Sequence, residues 1–144
     1  MIYWDTSCVL KLYASESDSD QWQKAALEQD DEFASSSLLE TEMAYALAQK
    51  EKRGDFKPGG AQAVLRLFRR DLKDERFVLY PVGRDVLMLA AGFAESCYRA
   101  RHPIPLRTLD GLHLATARLL KCRAMATADS RMKAAAAMLS LPLI

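Results

Sequence analysis

The stretch MIYWDTSCVLKLY, Met1–Tyr13, joins a short apolar run directly to a segment with helical periodicity. Its first four residues predict a buried strand, and Val9 and Leu12 lie on the apolar stripe of the predicted helix. Asp5 stands at the junction, although aspartate is a poor strand former and is rarely buried alone. Its position predicts that Asp5 caps the helix or belongs to a site, and the two roles are compatible.

The same order of strand and helix continues to the end of the chain. Further strands are predicted at 32–37, 76–82, 123–129 and 141–144, and helices at 6–16, 18–29, 37–54, 61–73, 84–101, 108–121 and 130–140, with Thr108 as an N-cap. This alternation favours the α/β class: a three-layer α/β/α sandwich with a central, mainly parallel sheet of four to five strands. The length suits a single domain over residues 1–144.

Composition and charge exclude several functional classes. Lys and Arg total 20 and Asp and Glu total 19, so the net charge of +1 predicts no strong overall attraction to nucleic acid, although a local basic patch remains compatible with it. The cysteines Cys8, Cys97 and Cys122 lie too far apart for a zinc motif. We expect buried, reduced thiols, a cytoplasmic location and no membrane association.

Carboxylates follow two of the predicted strands. Asp5 follows the first strand and Asp129 follows the fourth, so parallel strands would place both acids at one edge of the sheet. Asp110 lies in the first turn of a largely apolar helix. Glu40 and Glu42 both flank the apolar stripe of another helix, and periodicity leaves open which of them faces inward.

Converging carboxylates would repel one another unless protons or a cation offset their charge. Mg²⁺ or Mn²⁺ fits such oxygen ligands and can activate a water molecule against a phosphoryl group. The alternative is that Asp5 and Asp129 only cap helices and that Asp110 only complements a helix dipole. Four nearby hydroxyl side chains are expected to hold the carboxylates or their waters: Thr6, Ser7, Thr127 and Ser130.

Four segments together resemble the acidic motifs of the PIN domain family, in the order of the family. They are IYWDTSCVLKLY, SSSLLETEMAYAL, LDGLHLATA and ATADSRMKAAA, and the likeness is strongest to VapC-type toxins of toxin–antitoxin pairs. Carried over by position, the four acids of the family fall on Asp5, Glu42 rather than Glu40, Asp110 and Asp129. The chain departs from the family pattern at Gly111, where alanine is usual.

The resemblance implies a Rossmann-like fold and a ribonuclease dependent on Mg²⁺ or Mn²⁺. Such an enzyme hydrolyses phosphodiester bonds with a metal-activated water and leaves 5′-phosphate and 3′-hydroxyl ends. Asp5, Glu42 and Asp110 would be catalytic metal ligands, and Asp129 would complete the metal shell or orient the nucleophile. The resemblance also implies a VapB-like antitoxin that covers the site, and a homodimer.

Basic residues recur at helical spacing on the predicted helix 61–73. Its cationic side chains could bind RNA phosphates, or they could simply form the solvated face of an amphipathic helix: Arg66, Arg69, Arg70 and Lys73. His113 lies one turn after Asp110 and is expected either to pack as a structural imidazole or to lie near the substrate.

Two other functions stay open from the sequence. A phosphatase of the haloacid-dehalogenase kind also has an aspartate after its first strand, but it needs a second aspartate two residues later, where this chain has Ser7. A non-catalytic interaction module could retain the same fold. The presence of all four acids counts against that module.

Overall fold

Each of the first three strands is followed by two helices and the fourth by one, as the sequence predicts, in a computed structural model that describes all 144 residues. The strands are β1 (Ile2–Trp4), β2 (Phe33–Ser36), β3 (Val78–Tyr80) and β4 (Ala124–Ala126). The helices are α1 (Thr6–Tyr13), α2 (Ser19–Leu27), α3 (Leu38–Arg53), α4 (Gly60–Lys73), α5 (Arg84–Arg99), α6 (Thr108–Leu119) and α7 (Ser130–Met138). No helix is both long enough and apolar enough to span a bilayer.

The four strands form one parallel sheet in the order β3-β2-β1-β4. The fifth predicted strand, 141–144, contributes only a single parallel bridge between Leu143 and Met125. Pro142 accepts a hydrogen bond from the Met125 amide at 2.8 Å but has no N–H of its own to donate. A full ladder therefore does not form there, and the sheet keeps four strands.

Alternating side chains of β1 supply both halves of the core. Ile2 and Trp4 pack on the side covered by α1 to α4, whereas Tyr3 packs on the side covered by α5 to α7. Ile2, Tyr3 and Trp4 are all fully buried, as expected for a strand with helices on both faces of its sheet. The three-layer α/β/α sandwich predicted from the sequence is confirmed.

The strand order reverses between β1 and β4. From β1 the chain adds β2 and β3 on one side, and then returns to place β4 on the other side of β1. In open parallel sheets, sites form beyond the carboxyl ends of the strands at such a reversal. Asp5 leaves β1 at this point, where its backbone N–H donates to the carbonyl oxygen of Ala126 at the end of β4, at 3.1 Å.

The start of α6 differs from the sequence prediction. Thr108 is already the first helical residue, and Arg107 is the N-cap, with extended backbone angles. The predicted Thr108 cap is therefore wrong. The reason lies three residues on, where the carboxylate of Asp110 accepts the backbone N–H of Arg107 at 3.3 Å and so satisfies the helix start without a hydroxyl cap.

Replacing Leu114 with alanine should destabilise the domain. Leu114 is fully buried in the core between the sheet and α5–α7, so Leu114→Ala is expected to cost about 2–5 kcal/mol of unfolding free energy. Urea denaturation followed by circular dichroism measures this change. Leu27→Ala is the matched control, since Leu27 is 87% exposed and its loss should cost under about 0.5 kcal/mol. Equal losses for both variants would contradict the core assignment.

Candidate active site

The four predicted acids all lie on segments that begin at the carboxyl edge of the sheet. Asp5 precedes α1, Glu42 lies in the second turn of α3, Asp110 in the first turn of α6, and Asp129 precedes α7. Asp5 and Asp110 are buried, whereas Glu42 and Asp129 are partly exposed. The structure therefore brings all four acids to one end of the sheet, where side-chain or backbone donors hold each of them.

Asp5 is buried and accepts three hydrogen bonds. Ser7 Oγ donates to Oδ1 at 2.6 Å, the Cys8 backbone N–H donates to the same oxygen at 3.1 Å, and Thr127 Oγ1 donates to Oδ2 at 2.6 Å. The Cys8 bond makes Asp5 the N-cap of α1. Burial raises the pKa of Asp5 above its ordinary value, although these donors and nearby His113 act in the opposite direction.

Glu42 is held by hydrogen-bonded contacts that extend through His113 to Tyr3 in the core. Thr6 Oγ1 donates to Glu42 Oε2 at 2.5 Å, and His113 Nε2 lies 2.7 Å from the same oxygen. The other ring nitrogen, His113 Nδ1, lies 2.7 Å from the hydroxyl of Tyr3. Burial acts to raise the pKa of Glu42, but the bonds from His113 and Thr6 outweigh it and hold the pKa below its ordinary value.

His113 lies between two partners. Burial raises the pKa of Tyr3, so the phenol keeps its proton. A carboxylate can only accept, so the Nε2–H of His113 donates to Glu42. His113 is therefore both buried in the structure and in direct contact with a site acid, a contact that its spacing from Asp110 did not reveal.

Glu40 and Glu42 have different partners in the structure. The side chain of Glu40 is 45% exposed, and its carboxylate binds Arg69 Nε of α4 at 2.8 Å. Glu42 faces Thr6 and His113 at the sheet edge. Of the two candidates that periodicity left open, only Glu42 therefore lies in the acidic site.

Asp110 and Asp129 share one arginine. Arg107 Nε binds Asp110 Oδ2 at 2.8 Å, Arg107 Nη2 binds Asp110 Oδ1 at 2.9 Å, and the same Nη2 lies 3.1 Å from Asp129 Oδ2. The hydrogen bonds to Asp110 raise the pKa of Arg107. Arg107 is not among the site residues predicted from the sequence. The sequence did contain a signal for this contact, since a basic residue stands three positions before an acid at the start of a helix.

Asp129 is also the N-cap of α7. Its Oδ1 accepts the backbone N–H groups of Arg131 at 2.8 Å and Met132 at 3.2 Å, and the Arg131 side chain contacts Oδ2 at 3.2 Å. Burial acts to raise the pKa of Asp129, but the bonds from Arg131 and Met132 outweigh it and lower the pKa. Asp129 therefore both caps a helix and lies among the acids of the site, as Asp5 does.

Three of the four predicted hydroxyls hold a carboxylate. Thr6 binds Glu42, and Ser7 and Thr127 bind Asp5. Ser7 also accepts the backbone N–H of Ala128 at 2.9 Å, which ties the segment after β4 to the start of α1. The role predicted for Ser130 lacks such support, because Ser130 is exposed on the first turn of α7 and has no hydrogen bond to any of the four acids.

The acids suit a hard divalent cation in their chemistry, since all their donors are carboxylate oxygens. Their present arrangement does not form a coordination shell: no group of three or more His, Cys, Asp or Glu side chains is placed to hold a metal ion. The contacts explain this. Thr6 and His113 hold Glu42 on one side, and the guanidinium of Arg107 lies against Asp110 and Asp129 on the other.

The basic side chains predicted on α4 are all exposed: Arg66, Arg69, Arg70 and Lys73. Arg69 forms an ion pair with Glu40 of α3. Arg70 instead lines a cavity of about 730 Å³ between α1, α2 and α4. Phe33 and Phe77, at the starts of β2 and β3, also line that cavity, so it opens at the opposite end of the strands from the acids.

Comparison with known proteins identifies the family. The model of the PIN domain matches residues 2–138. The chain belongs to the PIN domain family. No curated protein sequence matches it.

Solved structures share the fold of this PIN domain at low sequence identity. Mycobacterium tuberculosis VapC20, a sarcin-ricin loop cleaving toxin, has a TM-score of 0.66 at 14% identity, covering 94% of this chain and 95% of its own. FitAcB from Neisseria gonorrhoeae has a TM-score of 0.64 at 17% identity, with coverage of 100% and 96%. A toxin–antitoxin complex from Klebsiella pneumoniae has a TM-score of 0.60 at 16% identity, with coverage of 90% and 88%.

Asp5→Asn should stabilise the PIN domain in EDTA at pH 7. The pKa of Asp5 is higher in the folded state than in the unfolded state. Above the folded-state pKa the buried anion therefore lowers the free energy of unfolding. This cost disappears as the pH falls below the unfolded-state pKa. An uncharged amide of the same shape removes the cost of burying the anion. We expect the melting temperature of Asp5→Asn to lie above that of the wild type at pH 7.

Calorimetry across pH 4–8 tests the sign as well as the size of this effect. The advantage of Asp5→Asn over the wild type should shrink as pH falls. Asp129→Asn is the contrasting variant, because the lowered pKa of Asp129 makes its ionised form stabilising, so this variant should melt lower at pH 7. A lower melting temperature for Asp5→Asn at pH 7 would contradict the prediction.

Proposed function

We propose that this PIN domain protein is an endoribonuclease dependent on Mg²⁺ or Mn²⁺ and the toxin of a type II toxin–antitoxin pair. The observation that supports the proposal is the position of four acids at one end of the sheet, where the strand order reverses: Asp5, Glu42, Asp110 and Asp129. Carboxylates gathered at such an edge suit the binding of a divalent cation more than they suit stability.

In this proposal the four carboxylates hold the cation directly or through water. Bound there, a divalent cation would supply a water molecule of lowered pKa and a positive charge to offset the negative charge developing on the phosphoryl oxygen. Asp5, Glu42 and Asp110 serve as ligands, and Asp129 completes the shell or orients the attacking water.

The surrounding side chains fix the acids before substrate arrives. Ser7, Thr127 and the Cys8 amide leave Asp5 no freedom to rotate, because both of its oxygens are bound. The Tyr3–His113 pair orients Glu42 from the core side. Fixed ligands reduce the reorganisation needed during the reaction, which is how supporting hydrogen bonds contribute to a metal site.

The proposed partners are RNA, a VapB-like antitoxin and a second copy of this chain. Support for an antitoxin comes from the solved structures of similar fold, two of which are a toxin–antitoxin complex and FitAB bound to a DNA fragment. Large apolar side chains exposed on α5 support a homodimer: Leu87, Met88 and Tyr98. A cytoplasmic location follows from the proposed RNA substrate.

A phosphatase that forms an aspartyl-phosphate is the weaker alternative. That chemistry needs a second acid two residues after Asp5, but Ser7 stands there and its hydroxyl donates to Asp5. A covalent phosphate on Asp5 would favour the phosphatase. A PIN domain that binds RNA or antitoxin but cleaves nothing would favour the non-catalytic module.

Glu42→Gln should abolish RNA cleavage while Glu40→Gln leaves it intact. The two glutamates lie on the same helix, but only Glu42 faces the acids, so this pair of variants separates the site from general charge loss. We expect Glu42→Gln to lower the cleavage rate about a hundredfold or more, the usual cost of removing one charge-stabilising group. Glu40→Gln should stay within about twofold of the wild type, since exposed ion pairs contribute little.

Gel analysis of RNA incubated with antitoxin-free protein and Mg²⁺, Mn²⁺ or EDTA measures these rates. Circular dichroism confirms that both variants are folded. EDTA should abolish cleavage by the wild type. Cleavage by Glu42→Gln at the wild-type rate, or cleavage in EDTA, would contradict the proposed mechanism.

Replacing Arg69 and Arg70 together with alanine should weaken RNA binding and its dependence on salt. Each phosphate that the protein no longer neutralises should reduce the slope of log affinity against log salt by about 0.7 for a single strand. Filter binding in EDTA at several salt concentrations measures the slope without cleavage. Arg99→Ala is the control, since Arg99 is exposed and pairs only with Glu95 of its own helix. An unchanged slope would make the basic side of α4 a solvated surface.

A further inference from the structure

The acidic site contains a cation of its own, the guanidinium of Arg107. Arg107 forms a bidentate contact with Asp110, at 2.8 and 2.9 Å, and also contacts Asp129 at 3.1 Å. Asp5 and Glu42 have no such partner, because hydroxyls, a backbone amide and the imidazole of His113 hold them. A single side chain thus links two of the four acids.

We propose that Arg107 is the resident counter-cation of this site and that a divalent cation binds by displacing it from Asp110 and Asp129. The proposal rests on the proposed function, in which these acids are metal ligands. It adds that the site exists in two exclusive states, one closed by an arginine and one open to a metal ion.

Electrostatics make the two states exclusive. Two carboxylates that share a site repel unless a positive charge lies between them, and a planar guanidinium satisfies them with fixed geometry. A divalent cation on the same oxygens would meet the guanidinium charge at close range, where two positive charges repel strongly. The same pair of acids therefore cannot hold both cations in this arrangement.

The position of Arg107 allows it to leave without unfolding the helix. Its side chain is 58% exposed, whereas the side chain of Asp110 is 7% exposed. The backbone N–H of Arg107 makes a separate bond to Asp110, so the N-cap of α6 can persist when the guanidinium turns into solvent. The backbone N–H groups of Arg131 and Met132 keep their cap bonds to Asp129 Oδ1 throughout. The Arg131 guanidinium also contacts Oδ2, at 3.2 Å, so only guanidinium groups need to turn away.

The proposal predicts that removing the guanidinium strengthens metal binding. Arg107→Gln should bind Mn²⁺ about tenfold more tightly than the wild type, within the range usual for two coupled binding events. Arg107→Lys keeps the charge but loses the bidentate contact, so its Mn²⁺ affinity should lie between those of the wild type and Arg107→Gln. Arg99→Gln removes one positive charge that pairs only with Glu95 and should leave the affinity unchanged.

Isothermal titration of Mn²⁺ alone into metal-free protein measures these affinities without RNA or turnover. Melting temperatures supply a second readout. In EDTA, Arg107→Gln should melt below the wild type, because Asp110 is left buried without its partner. Saturating Mn²⁺ should then raise the melting temperature of Arg107→Gln more than that of the wild type.

Equal or weaker Mn²⁺ affinity in Arg107→Gln overturns the proposal, as does the absence of Mn²⁺ binding by every variant. If Arg107→Gln does not fold, Arg107→Lys decides alone: affinity above the wild type supports the proposal, and affinity at or below it overturns it. Cleavage assays on the same preparations separate the two claims. If Arg107→Gln binds Mn²⁺ more tightly but the wild type does not cleave RNA, the proposed nuclease function is refuted. The proposed role of Arg107 as counter-cation is then still supported.

Discussion

The parallel pairing of β1 with β4 is the constraint on which the acidic site depends. Ile2, Tyr3 and Trp4 pair with Ala124, Met125 and Ala126, so both strands end at the same level of the sheet. Asp5 and Thr127 then emerge side by side, and the hydroxyl of Thr127 reaches the carboxylate of Asp5 at 2.6 Å. A shift of either strand by one residue would reverse which face each side chain occupies and would separate these groups. The site is therefore a consequence of strand register.

The protein holds four acids near one another with several kinds of hydrogen-bond donor. Neutral hydroxyls and an amide bind Asp5, an imidazole binds Glu42, and a guanidinium binds Asp110 and Asp129. The pKa of Asp5 is raised by burial, while those of Glu42 and Asp129 are lowered by their hydrogen bonds. Such unequal environments favour different protonation behaviour in neighbouring acids, an arrangement typical of functional sites. Stability and function thus make opposite demands on Asp5, which is costly to bury as an anion.

The fold tolerates wide sequence change because few positions set it. Solved PIN-like toxins superimpose on nearly the whole chain at 14–17% identity. The buried residues of the short strands need only be apolar and of suitable size. The basic residues proposed to bind RNA lie on the exposed side of α4, where sequence is free to vary. This division explains how one architecture can serve different partners.

Several features followed from the sequence alone. The alternation of strand and helix indicated the α/β sandwich, and strand direction placed Asp5 and Asp129 at one edge, because the carboxyl ends of parallel strands share an edge. The resemblance selected Glu42 over Glu40. Tertiary structure decided the rest: the contacts of Glu42 with His113 and of His113 with Tyr3 join residues 71 and 110 positions apart, distances over which local periodicity carries no information. Arg107 reaches Asp129 across 22 positions for the same reason, and only the packing of α6 against the sheet brings its guanidinium between two carboxylates.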